Sequence, residues 1–115
     1  MTATAQIIKF NEDRHLTDFN GPAELAMLSE ELQELRIAIE QGDEHGTIDA
    51  LNDLRVLATG ALWKKGQQPE LSLKQTCKEI TSRKGSFDPI SGKWLKDSNQ
   101  DPSTLYTADY ALSRR

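Results

Sequence analysis

The sequence predicts an all-α fold, an antiparallel bundle of about four helices followed by an irregular C-terminal tail or a small hairpin. Three observations predict it. Apolar residues recur at alternating spacings of three and four through the middle of the chain. Gly21-Pro22, Gly42 and Gly66 punctuate these runs. Beyond residue 85 the pattern gives way to Pro89, Gly92 and isolated aromatics.

A first helix is expected over residues 3–14, with Ile7, Ile8 and Phe10 on its apolar side, and a loop follows over 15–21. The second helix starts at Asn20-Gly21-Pro22, because proline is tolerated in a first helical turn. Leu25, Leu28, Leu32, Leu35 and Ile39 form its stripe, and Gly42 ends it. A third helix is expected over 46–65, with Thr47 as its N-cap. Its buried side would be Leu51, Leu54, Leu57, Ala58, Ala61 and Leu62. Gly60 inside it costs roughly 1 kcal/mol relative to alanine, which implies close helix packing or ligand approach there. The short connection makes helices two and three an antiparallel hairpin. A fourth helix is expected over 71–83. Residues 86–96 read as a loop or small hairpin around Ile90-Ser91-Gly92, and Leu105, Tyr106 and Tyr110 are placed to pin the polar tail.

The 115 residues make one domain, with a core over 22–84 and a tail over 85–115. Only 37% of them are hydrophobic, so the core is modest and a partner subunit is expected to complete it. A net charge of −4 argues against broad nucleic-acid binding, which needs a basic surface. The acids concentrate in 21–53 and the lysines in 64–96, which suits a metal site beside a phosphate site. The single Cys77 cannot form an intramolecular disulfide and reads as a small buried residue. With no signal-like N-terminus and no long apolar run, a cytoplasmic protein without a membrane partner is expected. His15, His45 and Cys77 fit no nucleophilic triad.

The informative acids are Glu30, Glu31 and Glu34 on helix two and Asp49 and Asp53 on helix three. On a helical wheel Glu30 points to solvent, whereas Glu31 and Glu34 share one flank of the apolar stripe. Asp49 and Asp53, four apart, share a face, and antiparallel packing brings both pairs toward one crevice. Gathered carboxylates repel one another, and a divalent cation removes the conflict. Magnesium, which takes carboxylate, water and phosphate oxygens, is the expected ion. Without it, the same acids would merely solvate two amphipathic helices.

The segment LSEELQELRIAI at 28–39 resembles the Glu-Glu-x-x-Glu helix of the MazG-like and phosphoribosyl-ATP pyrophosphohydrolase superfamily. DALNDL at 49–54, continuing to TGAL at 59–62, resembles the second acidic helix of its phage-type and related bacterial members. RKG at 83–85 and GKWLKD at 92–97 resemble the Gly-Lys-x-x-Lys tail of that subset. The likeness spans residues 22–110, and the order and spacing of the motifs carry it. One departure stands out: many members have Glu-x-x-Asp on the second helix, but here Ala50 lies three residues before Asp53 and Asp49 lies four before. The resemblance implies metal ligation by Glu31, Glu34 and Asp53, then Asp49, with Asn52 as a further contributor. It also implies magnesium-dependent hydrolysis of a nucleoside triphosphate between the α- and β-phosphates, with Glu31 or Glu34 orienting the water. A homodimer or dimer-based homotetramer follows from it too.

Lys64, Lys65, Arg83, Lys84, Lys93 and Lys96 are candidate phosphate contacts, and the tail resemblance favours Lys93, Lys96, Arg83 and Lys84 for substrate binding. Phe87 and Trp94 read as packing residues ahead of base-stacking platforms, and Phe10, Asn11 and Asn20 as candidates to touch a base. Two rival readings remain: a phosphoribosyl-ATP pyrophosphohydrolase of histidine biosynthesis, and a helical regulatory module without catalysis.

Overall fold

The computed structural model describes residues 1–115. It is mainly helical: α1 (Ala3–Asp13), α2 (Gly21–Glu40), α3 (Glu44–Lys64) and α4 (Pro69–Ser82) are followed by a hairpin of β1 (Gly85–Asp88) and β2 (Lys93–Lys96). Two short 3-10 turns, Pro102–Thr104 and Tyr110–Ser113, complete it. The chain divides into two compact units, Met1–Pro69 with Arg115, and Glu70–Arg114. No helix is long and apolar enough to cross a membrane.

In the first unit α2 and α3 form the expected hairpin, and α1 packs on α3. Asn20 caps α2 by accepting from the Ala23 N–H at 3.0 Å, and Pro22 occupies the first turn. The Asn20 side-chain oxygen is thereby committed to the backbone. Helix α3 begins earlier than expected. Asp43, not Thr47, is its cap: the Asp43 carboxylate accepts from the Gly46 N–H at 2.9 Å, and Thr47 turns its hydroxyl back to the Asp43 carbonyl at 2.8 Å. A carboxylate outcompetes a hydroxyl for this position beside the positive helix end. Gly60 serves helix packing. A Cβ there would stand 3.0 Å from Asn11 Nδ2, so α1 rests its buried Asn11 against the bare backbone of α3. Asn11 is therefore a packing residue in this chain.

The expected buried stripes are only partly covered. Ala38, Ala50 and Trp63 are the buried apolar residues. Leu51 and Ala58 face solvent, while Leu54, Leu57, Ala61 and Leu62 are half-buried. Along α2, Leu25 is 67%, Leu32 58% and Ile39 60% exposed. Helix α2 packs chiefly on α3, so only one of its sides is covered, and that side carries Glu24, Leu28, Glu31, Leu35 and Ala38. Trp63 lies under the Arg115 guanidinium, 4.5 Å from the ring centroid, and its carbonyl accepts from Arg115 Nε at 2.7 Å.

In the second unit the tail is latched onto α4. The Tyr106 hydroxyl donates to Gln75, the Ala108 N–H donates to Glu79 at 2.9 Å, and the Thr76 and Tyr110 hydroxyls meet at 2.9 Å. Gln100 holds the Lys84 N–H and the Ser82 carbonyl together. The tail is thus fixed by polar contacts to one helix face. Cys77 is exposed on α4, contrary to the expectation of burial, because the tail covers the Gln75–Glu79 side and leaves Cys77 outside.

Candidate active site

The antiparallel hairpin sets the register of the acids. Glu24 in the first turn of α2 pairs with Lys64 in the last turn of α3. Counting inward from that pair, Leu35 lies eleven residues after Glu24 and Asp53 eleven before Lys64, so Asp53 stands level with the Glu31–Glu34 turn. By the same count Asp49 stands level with Ile39, one turn nearer the connection.

The side chains follow this register. Carboxylate oxygens of Glu31, Glu34 and Asp53 all lie within 4.8 Å of one another. Glu31 and Asp53 are half-buried and Glu34 is exposed. Glu31 Oε2 is out of solvent and accepts no hydrogen bond. Burial raises the Glu31 pKa from its ordinary value of 4.5 to about 7, and the hydrogen bond and charge of Glu34 and the charges of Asp53 and Glu30 push the same way. A buried acceptor with no donor is costly unless something cationic or protic meets it. Three carboxylates gathered this closely, one of them with such an atom, fit a divalent cation of the magnesium class.

The other candidates sit elsewhere. Asp49 is exposed and outside the group of three. It lines a pocket of about 230 Å³ with Glu34, Ala38, Gln41, Asp43 and Ala50. Asn52 accepts from Arg55 at 3.3 Å and is not in the group. Glu30 is exposed, as the helical wheel indicates. Lys64, a candidate for phosphate, is committed to Glu24, and Lys65 lies over the Phe19 ring at 4.7 Å. Phe10 lies under Arg14 at 3.7 Å. In the second unit Arg83 pairs with Glu79 at 2.9 Å, while Lys84, Lys93 and Lys96 carry no ion pair. Phe87 and Trp94 are 62% and 60% exposed and therefore do not act as packing residues in this chain. Sequence reasoning missed Glu24 and the pocket residues Gln41 and Asp43. The acid in the first turn of α2 and the acid after Gly42 were the available signals.

The phosphoribosyl-ATP pyrophosphohydrolase family model matches residues 13–84. The chain belongs to this family. The match includes all three converging acids, Asp49 and the whole α2–α3 hairpin, and it stops before β1. Comparison with curated proteins and with solved structures finds no match. Membership in the phosphoribosyl-ATP pyrophosphohydrolase family points to a pyrophosphohydrolase acting on a nucleotide.

Proposed function

We propose that this protein is a magnesium-dependent nucleoside triphosphate pyrophosphohydrolase, releasing a monophosphate and pyrophosphate. The observation that carries the reading is the convergence of Glu31, which keeps an orphaned buried oxygen, with Glu34 and Asp53 inside the family-matched hairpin. Glu31, Glu34 and Asp53 would hold the ion, and Asp49 is the reserve ligand one turn away. The bound cation would neutralise phosphate charge and acidify water. Glu34, the exposed member, would orient the attacking water and take its proton as the bond between the α- and β-phosphates breaks. Arg83, Lys84, Lys93 and Lys96 would bind phosphate oxygens. The exposed α2 seam of Leu25, Leu32 and Ile39 supports a homodimer or dimer-based tetramer as the working form.

The description of the matched family favours a second reading, hydrolysis of phosphoribosyl-ATP. One assay separates the two: purified protein with magnesium, a panel of canonical and modified triphosphates, and phosphoribosyl-ATP, with pyrophosphate and monophosphate measured. Turnover across the triphosphates is expected. Turnover of phosphoribosyl-ATP alone would establish the second reading. No turnover and no thermal shift with magnesium would leave a helical module without catalysis.

A further inference from the structure

The β1–β2 hairpin carries an arrangement that neither the metal site nor the core uses. Its register pairs Gly85 with Lys96, Ser86 with Leu95, Phe87 with Trp94 and Asp88 with Lys93. Cross-strand partners share a face and neighbours along a strand alternate, so Gly85, Phe87, Trp94 and Lys96 lie on one side. The Trp94 indole reaches back across Gly85. A Cβ there would come 2.6 Å from Trp94 Nε1 and 2.1 Å from the Leu95 carbonyl oxygen, so no other residue leaves room for the ring. The result is two aromatic side chains on one face, each more than half in water, with one lysine on the same face. The protein's other tryptophan, Trp63, is buried under Arg115.

Lys96 is the one charged side chain on the ring face, and Lys84 and Lys93 lie on the opposite face with Asp88. Lys84, Lys93 and Lys96 make no ion pair. The hairpin's one acid, Asp88, is occupied by the turn: it accepts from the Ile90 and Ser91 N–H groups and from the Ser91 hydroxyl at 2.7 Å. Those donors hold the Asp88 carboxyl below its usual pKa. An apolar protein surface would satisfy the rings but strand the Lys96 ammonium. A ligand with a flat aromatic part and an anionic part satisfies both.

We propose that this hairpin is a nucleotide-holding arm, in which the Phe87–Trp94 pair stacks on the nucleobase and Lys96, on the same face, draws in the phosphates. This rests on the nucleotide-hydrolase reading above and adds to it how the base is held. Stacking reads no base edge, so the arm tolerates every base and favours the larger purines.

The test uses the full chain with magnesium, an α,β-methylene ATP analogue and inorganic tripolyphosphate, with affinities measured by calorimetry. The double variant Phe87→Ala/Trp94→Ala is expected to bind the analogue about tenfold more weakly while holding tripolyphosphate as before. Trp94→Phe, which keeps a ring, retains most of the affinity. Circular dichroism confirms that the helices are intact. Unchanged analogue binding by the double variant, in a wild type that hydrolyses triphosphates, overturns the arm and leaves the enzymatic reading standing. Equal loss for both ligands, or a fall in assembly mass without loss of affinity, also overturns it and assigns the rings to folding or to a subunit contact. A wild type that neither binds nor hydrolyses nucleotides removes the arm and the enzymatic reading together.

Discussion

Lys64 closes onto Glu24 across the open end of the α2–α3 hairpin, and with 9% and 6% of their side chains exposed, both charges are held out of water. The pair ties the first turn of α2 to the last turn of α3 and so fixes the register that sets Asp53 level with Glu31 and Glu34. Two buried charges attract strongly but give up most of their hydration, so the pair matters more for geometry than for net stability. Removing one partner strands the other. Lys64→Met or Glu24→Gln should therefore cost about 3 kcal/mol or more in urea unfolding. Glu24→Leu combined with Lys64→Met should recover most of that loss, because neither charge then remains buried. If single and double variants are equally destabilised, the side chains contribute by packing and not as a pair.

The three converging acids predict a graded mutant series. Glu31→Gln, Glu34→Gln and Asp53→Asn should each lower kcat about 100-fold or more, with helical content unchanged. Magnesium at a hundredfold excess over its Kd should stabilise the wild type by about 2.7 kcal/mol, and each of those variants should lose most of that shift. Asp49→Asn should keep it, since Asp49 stands a turn away from the group. Thermal melts with and without magnesium read the series directly. A silent Asp53→Asn beside a defective Asp49→Asn would reverse the assignment of the helix-three ligand.

Glu31 also predicts how the metal-free protein responds to pH. Its carboxyl titrates near 7 in the folded chain, against an ordinary value of 4.5. The folded state therefore holds the proton that the unfolded state has already lost. Glu31's contribution to stability is fully present below about pH 4.5 and is lost as pH rises through about 7. In chelator, the melting temperature should be higher near pH 5.5 than near pH 8, and Glu31→Gln should flatten that difference. Magnesium must displace the same proton, so its affinity should climb through that window. A wild-type profile that Glu31→Gln leaves unchanged would show that other groups set the slope.

The helices were legible because their signals are local. The 3–4 spacing on α2, Asn20 before Gly21-Pro22, and Gly42 after Ile39 each act within a few residues. The Glu31–Glu34 flank was legible for the same reason. What the sequence left open depends on partners distant in the chain. Asp49 and Asp53 share a face, and only the register fixed by Glu24 and Lys64 ranks them. Nothing local in Lys64 distinguishes a buried ion-pair partner from a phosphate contact. Thr47 was a plausible cap until Asp43 offered a charged acceptor one turn earlier. The same apolar periodicity describes a stripe facing α3 and a stripe facing another molecule, which is why Leu51 was read as buried and the stripe of Leu25 and Ile39 did not reveal what it faces.

That last ambiguity yields a prediction about assembly. Leu25, Leu28, Leu32, Leu35 and Ile39 alternate at three and four residues, a mean period of 3.5, which is the repeat of a seam between two helices wound on each other. Within the chain, Leu28 and Leu35 are half-buried, whereas Leu25, Leu32 and Ile39 remain more than half exposed and line up seven residues apart. Leu32, Leu35 and Ile39 also line an apolar hollow on this face. A contiguous row of that kind is unfavourable on an isolated monomer and marks an interaction surface. With α2 of a second copy running antiparallel about Leu32, Leu25 would meet Ile39 and Leu32 would meet its own counterpart. Leu32→Glu would then set two carboxylates against each other at the centre of the seam, while Leu32→Met would keep its volume and polarity. Light scattering on eluted protein should give a multiple of the 12.9 kDa chain for the wild type and for Leu32→Met, and the single-chain mass for Leu32→Glu. A wild type that elutes as a single chain at tens of micromolar would sink the seam, as would a Leu32→Glu variant with undiminished mass.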